Sequence, residues 1–565
     1  MAQKSLVLFN GRFPFMVIAL FIFMGISCAK QGFPPGGATD ETAPELISSI
    51  PAANSINVST TGQLVFEFSE PMDEESVEKN LFIVPIPTSW PEFEWHSRSK
   101  IMVLKPKQPL SDNTTYIFSI GADARDQRRN GLENSVILCF STGDILENKI
   151  IRGKVIPHNY FVEKGEKVST VDVIAYLLEY PLVDPDPRKD VPNYFTQTGQ
   201  DGSYEIVGLS SGFYRFFAIG DNDKDGFYTE NYDLIGVMSH DLKLTESDSV
   251  LIAPDISISL KYTTEMQLTS IRVSDKQRIE LFFDRVVEPE SFQIEIEDLD
   301  VLGWFLDGEN PNILSVATEV QEGRRRYVIK NINVTDIDGN RLMPFENQSY
   351  FTGTDRPDTT ALEIEEQVPK ILSSPDEHIN LIFNRMLDFP QNIEGIIEQD
   401  TGKTLSVTRT AANEFELAPV GSWQNGFNYV ILFNIESLRG IAGNRLTDAG
   451  AQLALRVAPS DTLGFLEGSI EDYTENSVLF YCLIFKNIDT DTVKKLDIHG
   501  TGEWMSGPVL PGRYVCIAHK DDNRDGEIFR GNVFPYSPAE QVTIYPDTVQ
   551  VEPRWPVKDI DFIFR

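Results

Sequence analysis

Two stretches of this chain carry the ligand types of a hard cation: Asp221-Asn222-Asp223-Lys224-Asp225-Gly226 and Asp521-Asp522-Asn523-Arg524-Asp525-Gly526. Carboxylate or amide oxygens at alternate positions, followed by a glycine that lets the backbone turn, suit Ca²⁺. The candidate ligands are Asp221, Asp223 and Asp225 in the first loop and Asp521, Asn523 and Asp525 in the second. A complete EF-hand is excluded, because Tyr232 and Asn532 stand where that loop needs its bidentate glutamate. What remains is a partial site finished by carbonyls, water or Glu230. The alternative is a hairpin turn using Asp, Asn and Gly for their conformations.

Other chemistry is weaker. Gly208-Leu209-Ser210-Ser211-Gly212 fits the hydrolase pattern G-x-S-x-G, but it leads into Phe213-Tyr214-Arg215-Phe216-Phe217, a strand and not the helix that a nucleophile elbow requires. His96, His158, His240, His378, His499 and His519 show no metal-ligand spacing. With 85 Asp and Glu residues, carboxylate pairs arise by chance, so no glycosidase dyad follows. Trp90 and Trp95, flanked by Pro87, Pro91 and Glu94, are the candidates for a sugar-stacking surface, against the reading of tryptophan as core. Cys482 and Cys516 lie on two expected strands of one unit, where they either pair or remain buried thiols.

The elements that must position these groups are strands. Turn signals recur about every ten residues and no long helical period appears. Leu64-Val65-Phe66-Glu67-Phe68 alternates, and Ile279-Glu280-Leu281-Phe282-Phe283 and Ile379-Asn380-Leu381-Ile382-Phe383 repeat it. Asp338-Gly339-Asn340-Arg341-Leu342 matches Ala442-Gly443-Asn444-Arg445-Leu446 in the later halves. These define units at 43–145, 263–356 and 362–458. A second repeat spans 148–262 and 462–565, where Gly212-Phe213-Tyr214 answers Gly512-Arg513-Tyr514 and one acidic loop answers the other. The expected fold is all-β, a tandem of antiparallel β-sandwiches. The short connectors at Asp355-Arg356-Pro357-Asp358 and Ala458-Pro459-Ser460-Asp461 imply a fairly stiff rod.

The first unit resembles the bacterial Ig-like family first recognised in S-layer proteins. Ala43-Pro44, Ile50-Pro51-Ala52-Ala53, Val65 to Asp73, Thr115-Tyr116 and Phe140-Ser141-Thr142 carry the likeness. That family is structural and interaction-bearing, which implies no catalytic residues here. The units at 263–356 and 362–458 look like degenerate copies. Ile151-Arg152-Gly153-Lys154-Val155, Asp201-Gly202-Ser203-Tyr204 and Gly212-Phe213-Tyr214 are similar to prealbumin-like, carboxypeptidase-regulatory-type sandwiches.

At the amino end, Lys4 and Arg12 precede the apolar run Phe13 to Ile26, then Gly25-Ile26-Ser27-Cys28. This reads as a signal peptide, 1–27, whose end resembles a lipobox with Gly25 in the usual leucine position. Cys28 would then be the lipid-attachment residue and 28–42 a tether, as in outer-membrane lipoproteins of Bacteroidota-type bacteria. The alternative is a plain secretory signal. The residues after Cys28 have no acidic run, which favours the periplasmic face of the outer membrane over the cell surface.

A formal charge of −36, lowered by two more when Lys4 and Arg12 leave with the signal, disfavours nucleic acid and anionic headgroups as partners. No cofactor fingerprint is present, and Ca²⁺ is the candidate ion. The expectation is a non-enzymatic, membrane-tethered envelope protein acting as a structural or protein-interaction scaffold with an unnamed envelope partner. The alternative is a glycan-binding lipoprotein of a polysaccharide-uptake system.

Overall fold

The computed structural model describes residues 42–565, apart from 86, 88, 159–170, 180–182, 309, 345–348, 389–394, 398–404, 434–437, 448–451 and 475–479. The signal sequence, Cys28 and most of the tether lie outside the described residues.

The alternation that marks Leu64–Phe68 becomes a strand with Leu64, Phe66 and Phe68 buried and Glu67 exposed. It pairs with Leu46–Ile50 and Ile101–Lys105, and Glu92–His96 completes that sheet. Leu81–Val84, Thr115–Ile120 and Val136–Ser141 form the facing layer. Between the layers, Phe118 stacks on Phe140 at 5.7 Å. Burying aromatic rings of this kind stabilises by about 3 kcal/mol each. The one α-helix among the described residues, Glu74–Lys79, grows from Ser69-Glu70-Pro71-Met72-Asp73. Asp73 caps it by accepting from the Ser76 N–H at 3.4 Å, with Glu74 and Glu75 in the first turn and Lys79 in the last, as the helix dipole favours.

The third and fourth units repeat the two-layer plan. Leu268–Asp275, Arg278–Phe283, Ile313–Thr318 and Val301–Leu306 face Val287–Ile296, Arg326–Asp336 and Ser349–Thr352. In the fourth unit, Ile364–Val368, Ile379–Phe383, Glu414–Pro419 and Leu405–Ala411 cover a core that contains Trp423.

In the second unit a single sheet curls round its core. Leu234–Val237 pairs on one side with Gly212–Gly220 and on the other with Ile256–Leu260, joining the two layers. Ile256–Leu260 and Val250–Ile252 run parallel to Lys149–Pro157, so the sandwiches are not antiparallel throughout. The fifth unit has the same inner plan: Thr492–His499, Phe480–Asn487, Gly512–Lys520 and Val542–Ile544 over Gly502–Met505 and Phe465–Asp472. It lacks the closing strand. Between Lys520 and Val542 the chain makes only the isolated bridge Asn532 to Ser537, and it leaves its own unit.

That departing segment corrects the expectation of a rod. Residues 528–541 dock on the outer face of the second unit, where Val533, Tyr536 and Ala539 cover Ile174, Tyr176, Phe217, Ile219, Ile235 and Val237. In return, Ile156 of the second unit packs on Ile517 and Val542 of the fifth. The cause is compositional. Strand Gly212–Gly220 is buried on both faces, with Phe216 and Ala218 in its own core and Phe217 and Ile219 outside it. An apolar outer face that large requires cover, and the fifth unit supplies it.

Candidate functional site

The first acidic loop is built by its own backbone. Asp221 Oδ1 accepts from the Lys224 N–H at 2.6 Å and Oδ2 from the Gly226 N–H at 2.9 Å. Lys224 and Gly226 take positive φ values of 60° and 82°, which is where the glycine is needed. The fold of the loop brings one carboxylate oxygen each of Asp221, Asp223 and Asp225 within 4.8 Å of one another. The Asp221 carboxyl is raised above the ordinary carboxylate range, first by burial and further by Asp223 and Asp233 beside it. Like charges held so close favour a proton or a cation between them.

The second loop repeats the frame and resolves the charge differently. Asp521 accepts from the Asp525 and Gly526 N–H groups, both at 3.1 Å. Asn523 Nδ2 donates to Asp525 Oδ2 at 2.6 Å, so an amide stands where the first loop has a third carboxylate. Each loop hangs from a second anchor that sequence reading did not find. Asp233 accepts from the Asn222 and Thr229 N–H groups at 2.8 Å each, and Glu540 accepts from Asp522 and Phe529 at 3.1 and 2.9 Å. The two anchors differ in residue type and in distance along the chain, which hid the correspondence.

The first loop lies against the first unit, with Lys224 Nζ 3.8 Å from Asp123. Next to it, Asp172 accepts from Gln197 Nε2 at 2.8 Å. Its carboxyl is pushed up to about 7, first by burial, with Gln197 opposing and the Asp221 and Asp123 charges adding to the rise. The folded state therefore binds a proton that the unfolded chain does not hold until pH falls to about 4. Stability consequently rises as pH falls through 7 toward 4. The expected result is a melting temperature that increases from pH 8 to pH 6 in the parent, with that part of the slope missing in Asp172→Asn. Equal slopes in thermal melts of the two proteins would refute it.

The tryptophans separate. Trp90 is 43% exposed, whereas Trp95 lies over Phe68 with centroids 6.3 Å apart and donates from Nε1 to Glu78 at 2.8 Å. Trp90 is thus open to solvent and Trp95 half-buried. Trp504 and Trp423 are core residues. Ser210 of the G-x-S-x-G match sits in the hairpin between Ser203–Leu209 and Gly212–Gly220, 3.1 Å from the Tyr214 hydroxyl. No elbow forms there. Cys482 opposes His519 and Cys516 opposes Phe485 in the same ladder. The two positions are offset by three along the ladder, an odd number, so the thiols point to opposite faces and cannot pair. Burial pushes both thiols up to about 12, which keeps them protonated.

The docked segment is held by a polar node as well as an apolar one. Arg530 pairs with Asp338 of the third unit and donates to Ser259 Oγ at 3.2 Å and the Leu260 carbonyl at 3.3 Å. Lys261 Nζ donates to Asn532 Oδ1 at 2.5 Å and to the Gly531 carbonyl. The Arg215 guanidinium, fixed by Asp241 at 2.8 Å, lies 3.5 Å from the Tyr536 ring centre. Cation–π contact with a desolvated arginine contributes about 1–2 kcal/mol. Three units meet at this clasp.

Residues 40–142 match the family described as the bacterial Ig-like domain. No curated protein matches the chain. Similar solved structures include an L,D-transpeptidase from Mycobacterium smegmatis, at 21% identity, 26% of this chain, 58% of that one and a TM-score of 0.15. The surface layer protein SbsC, domains 1–6, is 9% identical over 90% of this chain and 67% of that one, with a TM-score of 0.18. The major pilin subunit BcpA of Bacillus cereus is 11% identical over 74% of this chain and 99% of that one, with a TM-score of 0.16. None of these three superposes as a whole chain. The chain is all-β, and its first unit is similar to a bacterial Ig-like domain.

Proposed function

We propose that the protein is a non-enzymatic lipoprotein of the cell envelope, tethered to the outer membrane through Cys28, whose sandwiches act as a structural and protein-binding scaffold. The observation that carries this reading is the clasp. By fixing the fifth unit on the second and third, it holds sheet edges and end loops in a set arrangement, which is what a scaffold requires. The match of 40–142 to a bacterial Ig-like domain supports an envelope setting. The periplasmic face is the proposed location.

The anchor has a direct test. The parent protein should sediment with membranes and yield an acylated amino-terminal Cys28 by mass spectrometry, and Cys28→Ala should move it to the soluble fraction. A mature amino terminus elsewhere in the parent would exclude the anchor.

In this reading the Asp221, Asp223 and Asp225 loop takes Ca²⁺ at extracytoplasmic concentrations, in the millimolar range of extracellular sites. Calorimetric titration of the whole protein with Ca²⁺ should release heat that Asp223→Ala abolishes and Asn523→Ala retains. A parent that gives no heat removes the ion from the proposal.

A further inference from the structure

The outer face of the fifth unit's sheet carries a row of three residues with the donor types of a metal site. Asp497, Cys482 and His519 stand directly opposite one another on Thr492–His499, Phe480–Asn487 and Gly512–Lys520. Residues so paired share a face, with Cβ atoms about 5 Å apart from strand to strand. That face is not the core, because Tyr481, Leu483 and Ala518 point inward at the alternate positions. Cys482 and His519 are nevertheless 0% exposed. The second acidic loop lies against them. Glu540, which accepts from the Asp522 N–H of that loop, also approaches His519, and Lys495 donates to the Gly526 carbonyl at 2.9 Å and to Glu527 at 2.8 Å. The fold does not require this row. At the matching positions, 300 residues earlier, the second unit has Gln197, Asp172 and Ile219.

His519 has a nitrogen that its surroundings leave unused. Nδ1 is 3.6 Å from Glu540 Oε2 and 3.4 Å from the Lys520 carbonyl. Both are acceptors, so the ring proton belongs on Nδ1 and Nε2 keeps its lone pair. Nε2 is covered and, among the described residues, has no hydrogen-bond partner. A carboxylate behind one imidazole nitrogen, with the other left bare, is the arrangement that aims a histidine at a metal. Cys482 supplies a sulfur beside it. Burial first, and the Asp497 charge next, push that thiol up, with Lys495 opposing. Asp497 is exposed, so its carboxylate is free to turn over the sulfur. The basic groups nearby are committed elsewhere: Lys495 holds the loop, and Arg524 lies 3.4 Å from the Phe480 ring centre.

We infer that Cys482, His519 and Asp497 bind a thiophilic divalent cation of the Zn²⁺ type. Sulfur, Nε2 and a carboxylate oxygen take three positions of a tetrahedron and water the fourth. The thiol gives its proton to solvent as the sulfur takes the metal, so each ion bound releases one proton. Glu540 is a positioning residue that acts through Nδ1 of His519. A sulfur and nitrogen donor set does not suit Ca²⁺, which takes oxygen. The site is therefore separate in place and in chemistry from the Asp221, Asp223 and Asp225 loop. The histidine and cysteine positions show no ligand spacing along the chain, because the sheet alone makes them neighbours.

The test uses Co²⁺ as the probe, because a thiolate ligand gives it a charge-transfer band in the near ultraviolet. It is run on the whole protein carrying Cys28→Ala, which removes the amino-terminal thiol. One equivalent of Co²⁺ should produce the band, and Zn²⁺ should displace it. Cys482→Ser should abolish the band, whereas Cys516→Ala, whose thiol faces the core, and Asp223→Ala should leave it. Glu540→Gln should weaken Co²⁺ by about 10- to 100-fold with the band still present, a readout that a purely structural role would not give. Asp497→Asn, at an exposed position, should also weaken binding, and an unchanged melting temperature without metal verifies its fold. No band in the parent, or a band that survives Cys482→Ser, overturns the inference. The Ca²⁺ heat is read separately with Asp223→Ala, so either ion can fail alone.

Discussion

Combining Val533→Asp with Tyr536→Ala should release the fifth unit from the second and enlarge the radius of gyration measured by small-angle X-ray scattering. Val533 is 8% exposed and shares a cluster with Phe217, Ile219 and Tyr228. A carboxylate there is set among apolar side chains, and burying it costs several kcal/mol. Removing Tyr536 takes away the face under Arg215 and an edge contact with Phe217 at 6.2 Å. Truncating a packed aromatic costs about 3 kcal/mol. The polar links of Arg530 and Lys261 persist but sit at one end of the contact, so they do not hold the apolar face closed. Hydrogen exchange should quicken in Gly212–Gly220 at its outward residues, while the separate cores stay protected. By contrast, Phe534→Ala at a site 68% exposed should change stability by no more than about 0.5 kcal/mol. A double variant with the parent's scattering curve would mean that the apolar face is not what closes the molecule.

The second large effect is local to the last unit. The Asp472 side chain is fully covered, and it accepts from Lys520 Nζ at 2.9 Å, the Tyr481 hydroxyl at 2.7 Å and the Thr474 N–H at 2.9 Å. Asp472→Ala leaves a covered ammonium without its counter-charge and should lower stability by about 3–5 kcal/mol. For a unit of about 100 residues that corresponds to a fall of more than ten degrees in melting temperature. Replacing both partners, Asp472→Leu with Lys520→Met, should restore most of the loss, because shape is kept and no charge is stranded. The pH dependence has a definite sign. Burial alone would raise the Asp472 carboxyl, but hydrogen bonds from Thr474, Lys520 and Tyr481 outweigh it and hold it below its usual range. Its contribution is therefore present above the unfolded value near ~4 and disappears as pH falls through the lower folded one. Urea unfolding at pH 7 and near pH 3 should show the gap between parent and Asp472→Ala closing in acid. A gap that stays constant would place the loss in packing and not in charge.

What could be read in advance was whatever is local. Leu64–Phe68 alternates because one face meets a core and the other meets water, and that pattern needs no partner to interpret. The turn residues were equally direct. Asp126 caps its own loop by accepting from the Arg128 and Asn130 N–H groups, and Asp336 does the same for Asp338 and Asn340. In the fourth unit Gly440 takes the aspartate's place while Asn444 remains, and the Gly440 N–H donates to the Asn444 carbonyl.

The clasp leaves only a partial signal in the sequence. Phe216-Phe217-Ala218-Ile219 runs apolar at successive positions instead of alternating, the mark of a strand covered on both sides. One strand can show that cover exists without showing that it comes from some 300 residues later. The acidic loops divided along the same line. Their Asp-x-Asp-x-Asp-Gly spacing was visible, but the anchors Asp233 and Glu540, and the Asn523 amide that answers Asp525, depend on how the chain returns.

The late position of the clasp has a consequence for how the molecule is made. A polypeptide made amino end first completes the second unit long before residues 528–541 emerge, and closing a span of that length by diffusion carries an entropic cost. For that interval Phe217, Ile219 and their neighbours face solvent as a sticky sheet surface. Maturation thus has a vulnerable window that closes only when the last stretch of the chain is in place.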